Sequence, residues 1–311
     1  MKEINKEMIR EEKKYYFLSG LPRSGSTLLS SILNQNPKMY SGPSSPVMAI
    51  MLALENAISG EELFLAFPKM AQAKGIISSV IENYYSDVDK PVIIDKNRSW
   101  VNRMHYIPNY FGIEPKILCP VRNMDEILTS FISMHRRNPM EINGRINFID
   151  EMLIKSNVSL TDENRCEILS GPNGIVGQTY VGIQQAILEG KQKQLHFIEY
   201  DDLINEPRET MRKIYEFLGE DYFEHDFSNI KNIHIENDAG VYGFSDMHDV
   251  RGSLEKVFQD PKEILPEYIY EKCQGAEFWR DLNVDYTEEV EDYTTNKNES
   301  SNEDDTKLIG Q

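Results

Sequence analysis

Four compact apolar runs punctuate the chain: KYYFLS from Lys14, PVIID from Pro91, PKILCPV from Pro115 and QLHFIEY from Gln194. Their density of β-branched and aromatic residues, with no polar alternation, predicts strands buried on both faces. Between them lie stretches with helical spacing of apolar positions, Ser26–Asn34, Ser99–Tyr110, Met124–Arg136 and Tyr180–Glu189. A strand followed by a helix, repeated, predicts a three-layer α/β fold, a parallel sheet with helices on both faces. Ligands of such sheets bind beyond the carboxyl ends of the strands. Residues 138–175 are polar and read as irregular, a lid or substrate region.

The last residues break this pattern. From Glu288 onward the chain reads EEVEDYTTNKNESSNEDDTKLIGQ, too polar to bury a core of its own. The division expected is therefore one α/β domain over 1–287 and an acidic, disordered tail over 288–311. No internal repeat is present. VMAIMLALENAI from Val47 follows Ser-Ser-Pro, a helix-start signal, and is too short to span a bilayer. The opening MKEINKEMIREEKKYY has no apolar signal core. Three scattered cysteines, Cys119, Cys166 and Cys273, fit neither a disulfide framework nor a metal site and suit a reducing compartment. A cytoplasmic protein without membrane insertion is expected, and the N-x-[ST] triplets at Asn97, Asn157 and Asn298 carry no weight there.

Charge narrows the function. A net charge of −18 over 311 residues argues against a general grip on nucleic acid. An anion can be bound only by a few basic residues in fixed places. The segment GLPRSGST, residues 20–27, supplies one such place. It joins the first strand to the first helix and has the skeleton of a phosphate loop, G-x-x-x-x-G-K-[ST], with Ser26 where the lysine belongs. A helix N-terminus, the close backbone approach allowed by Gly25, and the hydroxyls of Ser24, Ser26 and Thr27 suit a phosphate. Arg23 stands inside the loop. The same residues also make a plain strand-to-helix turn capped by a serine; the coincidence of glycines, arginine and hydroxyls favours the phosphate.

LPRSGST followed by LLSSILNQNP resembles the 5′-phosphosulfate loop of sulfotransferases, nearest in motif style to the tyrosylprotein and carbohydrate branch. The resemblance implies a P-loop NTPase-like topology and 3′-phosphoadenylyl sulfate (PAPS) as cosubstrate. With one phosphate carrying a sulfuryl group, the missing lysine would have no β- and γ-phosphates to bridge. It implies a second anchor, an arginine and a serine eight residues on, for the 3′-phosphate; PKILCPVRNMDEILTSF provides Arg122 and Ser130. It also implies a late closure over the nucleotide, matched more loosely by Arg251 and Ser253 in YGFSDMHDVRGSLEKV, with Tyr200 near the nucleotide. Arg23 and Lys96, the latter in VIIDKNR, are the expected cations for the transferring group. No metal is expected.

The general base is not where the resemblance would put it. Ser44 stands where one branch has glutamate, and Arg98 where another has histidine. Glu55, Asp95, His105 and His135 are candidates, and the acceptor is open among small molecules, carbohydrates and peptides. Two other readings remain: an ATP-dependent P-loop kinase, with Asp95 ending its strand like a magnesium-holding acid, and a nucleotide-binding sensor without catalysis.

Overall fold

The computed structural model describes residues 13–256 and 259–282. The acidic segment 288–311 lies outside the described residues. Five parallel strands form the central sheet: β1 (Lys14–Leu18), β2 (Met39–Ser44), β3 (Val92–Lys96), β4 (Ile117–Val121) and β5 (Leu195–Glu199), in the order β2-β3-β1-β4-β5. Successive strand residues feed opposite faces. Phe17, Ile93 and Cys119 pack into one hydrophobic layer, while Leu18, Ile94 and Leu118 pack into the other. Helices cover both. On one side lie α1 (Ser26–Leu33) and, later in the chain, Pro207–Leu218; on the other lie α2 (Val47–Gly60), α3 (Met70–Tyr84), α4 (Met124–Arg137) and α5 (Ile175–Leu188). Each Leu or Ile fully buried between these layers contributes about 1.5–3 kcal/mol. The three cysteines are free and buried. Among the described residues no helix is long and apolar enough to cross a membrane.

The four strands read from the sequence are present, and β2 joins them. MYSGPS lacks the β-branched run of its neighbours, and its register with β3 shifts between Ser41 and Ser44. It occupies a sheet edge, the position where a proline such as Pro43 is tolerated. Two expectations need correction. The stretch Ser99–Tyr110 is not one helix but a short helix, Ser99–Asn102, and a wide π-type turn, Ile107–Phe111. Pro108 has no N–H to give back to the preceding turn. Residues 138–175 are not irregular: a hairpin pairs Glu141–Ile142 with Arg145–Ile146, and helices span Phe148–Lys155 and Asp162–Ser170. Asn147 and Thr161 cap these helices by accepting from the Asp150 and Asn164 N–H groups, and Ile149, Leu153, Cys166 and Leu169 anchor them in the core.

Two buried imidazoles give the fold an acid sensitivity. His196 lies on β5 against the Phe217 ring, and His225 meets the Tyr215 hydroxyl at 3.1 Å. Burial holds both at about 4, below the ordinary 6.5. Between these values the unfolded chain binds protons that the folded chain refuses, so stability falls as pH drops from the ordinary value to the lowered one. The expected loss is on the order of 2 kcal/mol per histidine, discounted for residual solvent screening. Urea midpoints at neutral and acid pH check this. The double variant His196→Gln, His225→Gln should show a shallower decline; an unchanged decline would refute the assignment.

Candidate active site

The carboxyl ends of β1, β3 and β4 open into a cavity of about 1070 Å³. Its floor is the loop from Gly20 to Gly25. β1 and β4 stay paired through Phe17 and Leu18; beyond them the Pro120 carbonyl accepts from the Leu21 N–H at 2.9 Å, holding the loop on the strand end. A Cβ at Gly20 would fall 2.2 Å from that carbonyl oxygen, so only glycine permits the approach. Gly25 has φ 86° and caps α1, and no side chain caps the helix. The first-turn N–H groups, with the positive helix end, therefore remain for a ligand. α1 thus has no serine cap. Arg23 itself sits at φ 59°, a left-handed conformation costing about 1–2 kcal/mol for a side-chain-bearing residue.

The loop hydroxyls divide. The buried Ser24 hydroxyl faces the Leu21 and Pro120 carbonyl oxygens, 3.0 Å from the latter, so its proton stays within the loop. Ser26 and Thr27, not Ser24, present hydroxyls to the cavity.

Two groups of cations face this space. In one, Arg23 donates from Nε to Ser130 Oγ at 3.1 Å and from Nη1 to the Met247 carbonyl. Arg122 donates to the Arg23 carbonyl at 3.3 Å, pairs with Glu126 at 2.8 Å, and lies 4.3 Å above the Tyr200 ring. A Cβ at Gly25 would meet that same ring at 2.9 Å. The structure thus joins Arg23 to Arg122, Ser130 and Tyr200. Burial lowers the Arg23 pKa, and the neighbouring charges acting on it are Asp246, Arg122 and Arg137.

Lys96 belongs to the other group. Its Nζ lies 3.4 Å from Thr27 Oγ1 and 3.5 Å from Glu236. Burial lowers its pKa while Glu236 opposes the shift. Beside it, His248 Nδ1 lies 2.6 Å from Asp238 and 3.6 Å from Glu236. The His248 N–H of the backbone also donates to Asp238, at 2.7 Å. The ligand atoms of Glu236, Asp238 and His248 lie within 4.8 Å of one another, a spacing open to a metal ion, though the Lys96 ammonium sits against that corner.

Arg251 and Ser253 border the cavity from an exposed turn. Arg251 is 3.9 Å from Glu255, and Ser253 donates to Glu255 at 3.1 Å. Lys256 ties this segment to α4 through Glu126 at 3.6 Å and to the short helix Tyr200–Asn205 through Asp201 at 2.7 Å.

None of the four candidate bases lines this cavity. Asp95 is fully buried, accepts from Tyr85 and Trp100, and has its pKa raised by burial. Glu55 accepts from Tyr106 and Tyr110. His105 borders a separate cavity of about 430 Å³. His135 pairs with buried Asp150 at 2.9 Å, which also holds Arg165. The histidine at the site is His248, within the YGFSDMHDVRGS stretch that carries Arg251.

A family model described as the sulfotransferase family matches residues 16–224. The chain belongs to the sulfotransferase family. The match spans Arg23, Lys96, Arg122, Ser130 and Tyr200, while Glu236, Asp238, His248, Arg251 and Ser253 lie beyond it. Nodulation protein NoeE of Sinorhizobium fredii is 21% identical over 222 residues, 66% of this chain and 50% of that protein. The chain thus spans about half the length of that curated relative. Two solved structures share the fold. The sulfotransferase domain from the curacin biosynthetic pathway aligns over 89% of this chain and 100% of its own, with 14% identity and a TM-score of 0.53. The sulfotransferase domain of the Synechococcus PCC 7002 olefin synthase aligns over 87% and 96%, with 15% identity and a TM-score of 0.50.

Proposed function

We propose that this sulfotransferase moves a sulfuryl group from PAPS to an acceptor hydroxyl, leaving 3′,5′-ADP. The observation that carries the reading is a pair of anion anchors in one cavity: the uncapped N-terminus of α1, and the Arg23–Arg122–Ser130 group beside it. Two anchors suit a nucleotide with two separated phosphates. The α1 N–H groups, Ser26 and Thr27 hold the 5′-phosphosulfate. Arg122, Ser130 and Arg23 hold the 3′-phosphate; Arg23 thereby moves from the transferring group to the nucleotide. Tyr200 packs along this grip, and Arg251 and Ser253 close the open side.

Transfer of a sulfuryl group is mainly a matter of alignment and charge. Lys96, next to Thr27 at the helix N-terminus, meets the charge that builds on the departing phosphate oxygen. His248 takes the acceptor proton. Its Nδ1–H donates to Asp238, a tautomer assigned from that contact, which leaves the Nε2 lone pair as base. The acceptor oxygen bonds to sulfur, the bond from sulfur to the phosphate oxygen breaks, and the proton ends on His248.

The kinase reading is weakened by Asp95, whose carboxylate is turned into the core rather than toward a nucleotide. Calorimetric titration decides between donors. We expect 3′,5′-ADP to bind more tightly than ADP or magnesium-ATP, and Arg122→Ala to lose about 10- to 100-fold in affinity. Preference for magnesium-ATP, indifferent to Arg122, would overturn the proposal.

A further inference from the structure

The acceptor's chemistry can be read from a cavity cation that has no hydrogen-bond or ion-pair partner among the described residues. Of the basic residues lining the cavity, Arg23 bonds Ser130, Lys96 meets Glu236, Arg122 pairs with Glu126, Arg137 with Asp246 at 2.8 Å, and Arg251 faces Glu255. Arg98 stands apart. Among the described residues its guanidinium has no hydrogen bond and no ion pair within 4.0 Å. It is partly exposed and lines the cavity; burial disfavours its charge, Tyr242 and Glu236 act on it from a distance, and it repels Lys96. A cavity-facing guanidinium with no acid within 4.0 Å has both room and charge for an anionic ligand.

Its position assigns that ligand to the acceptor rather than the donor. Tyr242, which lines the cavity with Arg98, packs its ring against His248, with ring centroids 5.7 Å apart. Arg98 therefore lies on the side of the proton acceptor, where the attacking hydroxyl must arrive. The donor's phosphates have α1 and the Arg122 group.

We infer that Arg98 receives a carboxylate of the acceptor, so that the substrate is a hydroxy acid carrying its anion a few bonds from the reacting hydroxyl. A single planar fork matches one carboxylate in charge and shape, whereas a phosphate group would bring nearly two charges to one cation. This inference rests on the sulfuryl-transfer reading above.

The test uses the full chain saturated with 3′,5′-ADP and a probe set of lactate, 3-hydroxybutyrate and 4-hydroxyphenylacetate, each beside its methyl ester. Binding is followed by ligand-observed NMR, and turnover with PAPS alongside. The acid should bind at least about 10-fold better than its ester, with Arg98→Gln abolishing the preference and Arg98→Lys keeping part of it. Both variants should bind 3′,5′-ADP like the parent, which also verifies that they fold. Equal affinity of acid and ester, or binding of neither by the parent, overturns the inference. So does loss of 3′,5′-ADP affinity in a folded Arg98→Gln, which would move Arg98 to the donor. If the parent chain itself fails to bind 3′,5′-ADP, the sulfuryl-transfer reading falls; equal acid and ester affinities on a chain that does bind it sink only the assignment of Arg98.

Discussion

Replacing Lys96 by methionine should lower kcat about 10²- to 10³-fold while leaving 3′,5′-ADP affinity within about threefold of the parent. Methionine keeps the length of the stem and its packing but removes the ammonium. Lys96 ends β3, whose five residues are all buried, so its Nζ emerges at a fixed point, 3.4 Å from Thr27 Oγ1. That point lies beside the helix N-terminus proposed to hold the 5′-phosphate. A cation there gains most when negative charge develops on the departing oxygen, and the enclosed setting strengthens the gain. The split between kcat and nucleotide affinity separates this role from simple phosphate binding. Stopped-turnover assays with PAPS, paired with calorimetry, measure both halves. Parent-like turnover in Lys96→Met would remove Lys96 from the chemistry; an equal fall in nucleotide affinity would make it an anchor only.

His248→Asn should cost about 10²- to 10⁴-fold in kcat, the usual worth of a positioned general base. Asparagine offers an N–H toward Asp238, so the local fold is kept while the Nε2 lone pair is lost. Asp238→Asn provides the companion test: it replaces the carboxylate that accepts from Nδ1–H at 2.6 Å by a neutral amide that can donate there instead, so it should lower the rate through the tautomer without touching the substrate. A His248→Asn enzyme within about threefold of the parent would rule out His248 as the base.

The sequence by itself determined the layered α/β fold and the floor of the site. Buried strands announce themselves by continuous apolar runs, and GLPRSGST is legible as a strand-to-helix loop because loop, glycines and helix start are adjacent in the chain. Arg122 was legible for the same reason, as a strand end followed by a helix. The edge strand β2 was not, since its pairing comes from β3 and not from its own composition. Nor was the break at Pro108, where the apolar spacing on either side still reads as helical.

What only the tertiary structure decided is how distant residues meet. Arg23 reaches Ser130 across 107 positions, and Glu236 reaches Lys96 across 140. His248 and Asp238 come from a late segment whose local pattern predicts no helix face or strand end. Their value lies in a dyad 2.6 Å apart beside a buried lysine. Periodicity and motif spacing report local geometry, whereas a base and its orienting acid need only share a cavity. Arg98 is visible in the sequence as an arginine and becomes informative in the structure, where every other cavity arginine and lysine has a polar partner and, among the described residues, Arg98 has none.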